Sequence, residues 1–245
     1  MTVPADDPWG RLRPLTAARI GLHTTGGSLG TAPLLALRLA HARARDAVHA
    51  ALDTEALAGA IGEMLVVDTA APDRATFLLR PDLGRQLAPG TTLPRGEHDL
   101  AIVLADGLSA RAVQDHAPPV LAALLAHLPR WRLAPVVVVR QGRVAVGDAI
   151  ANALGASAVL VLIGERPGLS APDSLGAYLT WQPGMGTTDA DRNCVSNIRP
   201  AGLAPDDAAA KIAWLLDSMR ARGQSGVALK DDAPERATRL QGTAP

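Results

Sequence analysis

The sequence predicts an α/β protein, in which a Rossmann-like parallel sheet is flanked by helices and preceded by an N-terminal segment that is mostly helical. Three apolar runs carry this prediction, at residues 99–105, 135–139 and 158–163. Such runs, rich in Val, Ile and Leu, are typical of strands that are buried on both faces, as in parallel sheets. Helical patterns separate the three runs, which indicates the alternation of strands and helices of an α/β fold.

Polar residues follow each of the three predicted strands. Asp106 follows the first strand, Arg140 and Gln141 follow the second, and Glu165 and Arg166 follow the third. Because ligands of parallel sheets bind beyond the carboxyl ends of the strands, this edge is the candidate functional site. A purely structural role of Asp106 and Glu165 in their turns is the open alternative. A neighbouring Arg166 would keep Glu165 ionised, which suits a hydrogen-bond acceptor better than a general acid.

Before the sheet, we expect a loose lead-in over residues 1–14 and a mostly helical segment over residues 15–98. Apolar spacing predicts helices over 34–52 and 55–64. The glycine-rich residues 26–30 precede the first of these helices. A structural turn explains them better than a phosphate-binding loop, because they do not match G-x-x-x-x-G-K-[ST] and follow no clear strand.

The Rossmann-like domain is expected to occupy residues 99–232, with a polar tail over 233–245. Ser109 is the expected N-cap of a helix over 110–127, because its hydroxyl can accept from a free backbone N–H. The proline pair at 118–119 predicts a break within that helix.

The remaining elements of the domain are shorter. A helix over 144–154 is expected to end at Gly155, which suits a left-handed C-cap. An edge strand is predicted over 177–181. Residues 182–204 are expected to form a long loop, and loops of this length are often functional. A final helix is predicted over 206–222.

The composition excludes several classes of function. The 24 basic and 24 acidic residues cancel, so no broad field attracts nucleic acid or a membrane surface. One Phe, one Tyr and four Trp offer little for stacking on bases. No apolar run approaches the roughly 20 residues of a membrane span. The N-terminus lacks the basic and apolar regions of a secretory signal.

Cysteine and histidine usage argues against thiol and metal chemistry. Cys194 is the only cysteine, so no disulfide can form within the chain, which suits a reducing cytosol. A lone cysteine is usually a small buried apolar residue, and no His follows His127 to act as its base. His41 and His49 lie two turns apart on one predicted helix, but no acid or cysteine completes a metal set.

Five stretches carry a specific resemblance to a known family. They read TAARIGL at 16–22, LAHARARDAV at 39–48, ADGLSARAV at 105–113, IGERPGLS at 163–170 and TDADRNCVSNIRP at 188–200. By these stretches the chain resembles the small subunits of adenosylcobalamin-dependent ethanolamine ammonia-lyases, over most of residues 15–232.

The resemblance implies a subunit of an enzyme and not a complete enzyme. In that family a large TIM-barrel subunit holds ethanolamine, and the Rossmann-like small subunit helps to hold adenosylcobalamin at the interface. Large–small pairs assemble into a hexamer of pairs. The complex converts ethanolamine to acetaldehyde and ammonia by radical chemistry that belongs to the cofactor. The chain alone is expected to be inactive, because the sequence offers no set of substrate-binding residues at the sheet edge.

The family's small-subunit cobalamin contacts carry over to Val144, Glu165 and Cys194. The resemblance assigns this chain no catalytic residue and no metal ligand. The sequence lacks the Asp-x-His-x-x-Gly motif, so no protein His is expected to replace the cofactor's own base. The expected location is the cytoplasm or, as in some members, a bacterial microcompartment, although residues 1–15 show little of an amphipathic targeting helix.

Two other interpretations stay open at this point. One is a stand-alone α/β enzyme that uses Asp106, Glu165 or Cys194 on a small nucleotide-like ligand at the sheet edge. The other is an interaction protein without a ligand. Replacing Cys194 with Ala separates the first from the subunit interpretation, since it should abolish the chemical step only in the stand-alone enzyme.

Overall fold

A six-stranded sheet with helices on both faces forms the centre of the protein. The computed structural model describes residues 7–16, 18–230 and 232. The strands are β1 (Thr24–Thr25), β2 (Ser28–Leu29), β3 (Leu65–Asp68), β4 (His98–Ala105), β5 (Val137–Arg140), β6 (Ala156–Gly164), β7 (Leu175–Trp181) and β8 (Arg192–Ile198). The helices are α1 (Thr31–His49), α2 (Thr54–Ile61), α3 (Arg74–Leu79), α4 (Ala110–His127), α5 (Val146–Leu154) and α6 (Pro205–Arg222).

The strand order of the sheet is β3-β5-β4-β6-β7-β8. The first four strands in this order are parallel, which confirms the predicted α/β class and its three central strands. β7 and β8 are antiparallel to their neighbours. Only a short connection, without a crossover helix, joins β6 to β7, and such a connection permits only antiparallel pairing.

Two predictions for the region after β6 are wrong. The predicted edge strand 177–181 belongs to β7, which lies inside the sheet, because β8 pairs with its free side. The predicted loop 182–204 contains β8 and the short 3-10 helix Asp189–Asp191. β8 escaped detection because it is an edge strand of mostly polar residues, in which only Arg192, Val195 and Ile198 are buried.

Two apolar layers explain why the central strands are continuous apolar runs. Successive residues of β4 point to opposite faces of the sheet. Leu100, Ile102 and Leu104 pack in the layer that includes α2, α4 and α6. Ala101, Val103 and Ala105 pack in the layer that includes α5. The helices predicted over 144–154 and 206–222 are confirmed as α5, which ends at the left-handed Gly155, and α6.

Helix α4 continues through Pro118 and Pro119, so the predicted break is wrong. Each proline removes one hydrogen bond to a carbonyl four residues earlier, here those of Gln114 and Asp115. Both prolines and both of these residues lie on the partly or fully exposed side of the helix, where water can bind the freed carbonyls. The buried side keeps its packing against the sheet, and the predicted N-cap Ser109 accepts from Ala112 N at 3.3 Å.

The N-terminal segment contains the two predicted helices, found as α1 and α2. The glycine-rich stretch forms the turn of the hairpin β1–β2, as the structural interpretation predicted. β3 also lies in the range predicted as the helical segment, and it pairs with β5 along its whole length. Residues 1–6 of the predicted lead-in and the predicted tail, 233–245, lie outside the described residues. No helix among the residues that the structure describes is long and apolar enough to cross a membrane.

Candidate functional site

An open cleft lies at the carboxyl edge of the sheet, between the ends of β4 and β6. Its volume is about 420 Å³. The apolar side chains that line it are Leu108, Val144, Ile163 and the ring of Tyr178, and the charged ones are Arg143, Glu165 and Arg166. The cleft is therefore amphipathic, with a few charged groups among apolar walls, as in many ligand sites.

Two glycines form the floor of the cleft. Gly107 has a φ of +54°, and a Cβ there would lie 2.3 Å from the carbonyl oxygen of Gly164. A Cβ on Gly164 would lie 2.0 Å from the carbonyl oxygen of Ser109. The ends of β4 and β6 approach so closely that no other residue fits either position without a shift of the backbone. The two glycines therefore expose main chain to the cleft.

Asp106 does not line the cleft but joins the ends of two strands. Its carboxylate accepts from Gln141 N at 3.0 Å and Gly142 N at 2.9 Å, and it lies 3.5 Å from Arg74 Nη1. Burial raises the pKa of Asp106, against these two N–H groups and the Arg74 charge. The geometry therefore supports a structural role for Asp106 rather than contact with a ligand.

The polar residues after β5 are likewise engaged within the protein. Arg140 forms two hydrogen bonds to Asp68, at 2.7 and 2.8 Å, at the ends of the paired strands β5 and β3. Gln141 accepts from Arg74 and Thr69. The prediction that Asp106, Arg140 and Gln141 share one sheet edge is confirmed, but none of them lines the cleft.

An aromatic ring with two guanidinium groups lies beside the cleft, and sequence reasoning missed it. The guanidinium carbons of Arg74 and Arg143 lie 4.8 and 4.2 Å from the centroid of Phe77. Gly84 allows this packing, since a Cβ there would lie 2.8 Å from the Phe77 ring. Phe77 is the only phenylalanine of the chain, and that was the one available signal.

Glu165 lines the cleft and is held by partners on other elements. Its carboxylate accepts from the Ser174 hydroxyl and from Asn197 N. Among the described residues these are its hydrogen-bond partners, rather than the expected Arg166, which is exposed at the cleft. A Cβ on Gly176 would lie only 3.0 Å from Glu165 Oε1, so the carboxylate sits tightly against β7.

Val144 lines the cleft with Glu165, whereas Cys194 lies one step away. Cys194 is on β8, opposite Tyr178 of β7, and the Tyr178 ring reaches the cleft. Burial raises the pKa of the Cys194 thiol, and the Glu165 carboxylate adds to this, while the hydrogen bond with Tyr178 acts in the opposite direction. The pKa of Tyr178 is raised as well, mainly by burial. Both groups are neutral near pH 7, so the thiol is not an activated nucleophile.

Arg192, which lies two residues before Cys194, has a structural role. It donates to both carboxylate oxygens of Asp148 at 2.7 Å and to Thr180 Oγ1 at 2.9 Å, and 2% of its side chain is exposed. This buried ion pair attaches β8 to α5. Within the described ranges, no group of three or more His, Cys, Asp or Glu side chains could hold a metal ion.

A mostly parallel sheet with an amphipathic cleft at its carboxyl edge is the arrangement of many ligand-binding α/β proteins. In the part of the chain that the structure describes, no side chain lining the cleft is a nucleophile paired with a base. The chain belongs to the family described as ethanolamine ammonia-lyase light chain (EutC), whose sequence model matches residues 6–230.

Relatives from several bacteria support the same family. An ethanolamine ammonia-lyase small subunit of Azotobacter vinelandii is 52% identical over 242 residues, which cover 93% of this chain and 90% of that protein. One of Xanthomonas campestris pv. campestris is 51% identical, with 95% and 90% covered. One of Pseudomonas aeruginosa is 49% identical, with 98% and 93% covered. The resemblance seen in the sequence is thus confirmed.

Proposed function

We propose that this chain is the small subunit of an ethanolamine ammonia-lyase, which with a large subunit binds adenosylcobalamin at their interface and converts ethanolamine to acetaldehyde and ammonia. The observation that carries the proposal is the position of the assigned cobalamin contacts at the cleft. Val144 and Glu165, which the resemblance assigns to cobalamin, line one cleft at the sheet edge, and Cys194 lies across from its Tyr178.

The residues of the cleft fit a large amphipathic cofactor. Cobalamin carries amide groups around an apolar ring system, and its nucleotide loop contains a phosphodiester. The cleft offers apolar walls, one carboxylate acceptor and two guanidinium donors. No histidine is among the described residues that line it.

Each proposed contact has a role in binding and none has a role in bond breaking. Val144 would pack against an apolar surface of the cofactor. Glu165, held by Ser174 and Asn197, would accept from an amide N–H of the cofactor. The neutral Cys194 thiol would pack beside Tyr178 at the margin. When bound, the cofactor supplies the radical that starts the reaction, while this chain positions it and excludes water.

The cleft is open, which supports the need for a partner. A site of about 420 Å³ with an open side covers only part of a cofactor as large as cobalamin, and the large subunit would cover the rest. We propose that the pairs assemble further into a hexamer of pairs. By the same family resemblance, we propose that the complex is located in the cytoplasm or in a bacterial microcompartment.

Co-expression with a large subunit tests the proposal. The co-purified complex should bind adenosylcobalamin in a stoichiometric ratio, visible by its absorbance, and should release acetaldehyde and ammonia from ethanolamine. Light scattering would give the number of pairs. The isolated chain should show no turnover. A chain that ignores the large subunit and binds no cobalamin would contradict the proposal.

Replacement of Cys194 by Ala separates this proposal from a stand-alone enzyme. In the complex, C194A should weaken cobalamin binding a few-fold and leave the turnover rate at saturating cofactor unchanged. Ser157→Ala is the matched control, since Ser157 is an exposed residue at the amino end of β6 and should affect neither quantity. Collapse of the turnover rate at saturating cofactor would contradict a contact role of Cys194.

A further inference from the structure

Positive charge exceeds negative charge around Arg143. Burial lowers the pKa of Arg143 first of all, and the charges of Arg74, Arg85 and Arg166 lower it further, while only Asp106 acts in the opposite direction. Arginine nevertheless stays protonated at neutral pH. The one carboxylate of Asp106 accepts from Gln141 N and Gly142 N and lies 3.5 Å from Arg74 Nη1, so a single negative charge stands against several positive ones. Such a surplus of positive charge favours a bound anion.

The guanidinium of Arg143 is fixed in place before any ligand arrives. It stacks 4.2 Å from the Phe77 centroid, and its Nη2 donates to Phe77 O at 3.3 Å. The Arg143 main-chain N–H donates to Gly84 O at 2.7 Å. A donor that is held by stacking and hydrogen bonds loses little side-chain entropy when it binds a ligand.

Hydrogen-bonding capacity remains unused at this cluster. Arg143 Nε and Arg74 Nη2 are buried and have no hydrogen-bond partner among the described residues. Buried polar groups in native proteins normally have partners, so an unpaired nitrogen on an arginine that lines a cleft indicates a missing acceptor. Arg143 lines the cleft itself, next to Val144.

We propose that Arg143 is the anion-binding residue of the cleft and that it binds the phosphodiester of the cobalamin nucleotide loop. This inference rests on the proposed function, and it names the group of the cofactor that this wall of the cleft recognises. Guanidinium groups suit phosphate oxygens because their planar N–H donors match phosphate in pairs. Arg166, which is exposed at the same cleft, would add positive charge near the phosphate. Arg143 would form oriented hydrogen bonds to the phosphate oxygens.

The test uses the complex with the large subunit and two corrinoids that differ in one phosphate. Cobinamide lacks the nucleotide loop and its phosphate, and cobinamide phosphate retains the phosphate. Equilibrium dialysis would give their affinities, and that of cyanocobalamin, for the wild type, R143Q, R143M and R143K. Two neutral variants are included because one of them could fail to fold, and the test needs only one that folds properly. Circular dichroism and thermal unfolding would show which variants fold.

The expected result is a loss of preference for the phosphate. The wild-type complex should bind cobinamide phosphate more tightly than cobinamide, by about 10- to 100-fold. R143Q and R143M should bind the two corrinoids about equally, and cyanocobalamin affinity should fall by a similar factor. R143K should keep part of the preference because it keeps the charge. The matched control is R220Q, which removes an arginine stacked on Trp131 and should keep the full preference.

Three results would overturn the inference. A folded R143Q complex that binds all three corrinoids like the wild type would exclude contact with the phosphate. Weakened subunit association with unchanged corrinoid affinity would assign Arg143 to an acidic residue of the large subunit. A wild-type complex that binds no cobalamin at all would remove the proposed function itself, and that outcome differs visibly from the other two.

Discussion

The protein stacks arginine on an aromatic ring at both edges of its parallel sheet, and only one of the two clusters is neutralised. At the amino edge, Arg220 lies 3.6 Å from the Trp131 centroid and pairs with Asp99 at 3.0 Å. Asp99 also accepts from Arg132, and Asp217 accepts from the Trp131 indole N–H. At the carboxyl edge, Arg74 and Arg143 share Phe77. Asp106 is the one acidic group that raises the pKa of Arg143 there.

The two edges also shift their carboxylates in opposite directions. At the amino edge, burial opposes ionisation of Asp99, but hydrogen bonds from Arg132 and the charge of Arg220 outweigh it and lower its pKa. At the carboxyl edge, burial dominates and raises the pKa of Asp106. An arginine stacked on an aromatic ring stabilises the fold where nearby carboxylates balance its charge. Where they do not, the arginine is available to a ligand.

Replacement of Asp106 with Ala should have the largest effect. It would leave the Arg74 charge and two buried N–H groups, those of Gln141 and Gly142, without their acceptor. Breaking a buried pair in this way costs about 3–5 kcal/mol. Urea unfolding monitored by circular dichroism would measure it. A loss below about 1 kcal/mol would show that the carboxyl edge does not depend on the Asp106 carboxylate.

Replacement of Gly107 with Ala should have the next largest effect. The left-handed backbone costs about 1–2 kcal/mol for a residue with a Cβ, and overlap with Gly164 O adds about 1–3 kcal/mol. Thermal unfolding would measure the loss. Gly26→Ala is the matched control, because Gly26 also has a positive φ but no atom within 4 Å of its Cβ position. Equal losses in the two variants would refute the close approach at the cleft floor.

Replacement of Asp99 with Asn should lower stability by about 1 kcal/mol at neutral pH, since the residue is partly exposed. The folded pKa of Asp99 is lowered, so its ionised form stabilises the protein above the unfolded value near 3.8. This contribution is lost as the pH falls through the folded value. Unfolding experiments between pH 7 and pH 3 should show the difference between wild type and D99N shrinking. A difference that stays constant with pH would contradict the ion-pair account.

The smallest effect separates the two arginine clusters directly. R220Q should lower the free energy of unfolding by about 1 kcal/mol, since it breaks an ion pair and a cation–π contact. R143Q should change it less without cofactor, because removal of Arg143 also relieves repulsion from Arg74, Arg85 and Arg166. Paired denaturant titrations would measure both. A larger loss in R143Q than in R220Q would mean that the carboxyl-edge cluster serves stability rather than a ligand.

Local patterns were sufficient for the elements that are apolar or well capped. The continuous runs of β4 and β6, the Ser109 cap of α4 and the Gly155 end of α5 were all predictable. The patterns failed for β8, because an edge strand buries too few side chains to show a period. They failed for the proline pair in α4, because exposure decides whether freed carbonyls are tolerated, and exposure is a property of the folded protein.

The candidate site divides in the same way. Glu165 follows a strand of the parallel sheet and lies in a family stretch, whereas the family resemblance alone assigned Val144; both residues line the cleft. Arg143 was not found, because its importance depends on Phe77, which lies 66 positions away. Arg140 and Asp106 were expected at the cleft, but Arg140 pairs with Asp68 at the exposed ends of two neighbouring strands, and Asp106 is buried beside Arg74.

The sequence by itself determined the α/β class, the central strands, five of the six helices and the family, because these depend on residue type and near-neighbour spacing. Only the tertiary structure decided that β8 closes the sheet, that Asp106 is internal, and that Arg143 faces the cleft with a buried nitrogen unpaired. The physical reason is that hydrogen bonds, charge balance and burial join residues far apart in the chain, and no local pattern records which of them meet.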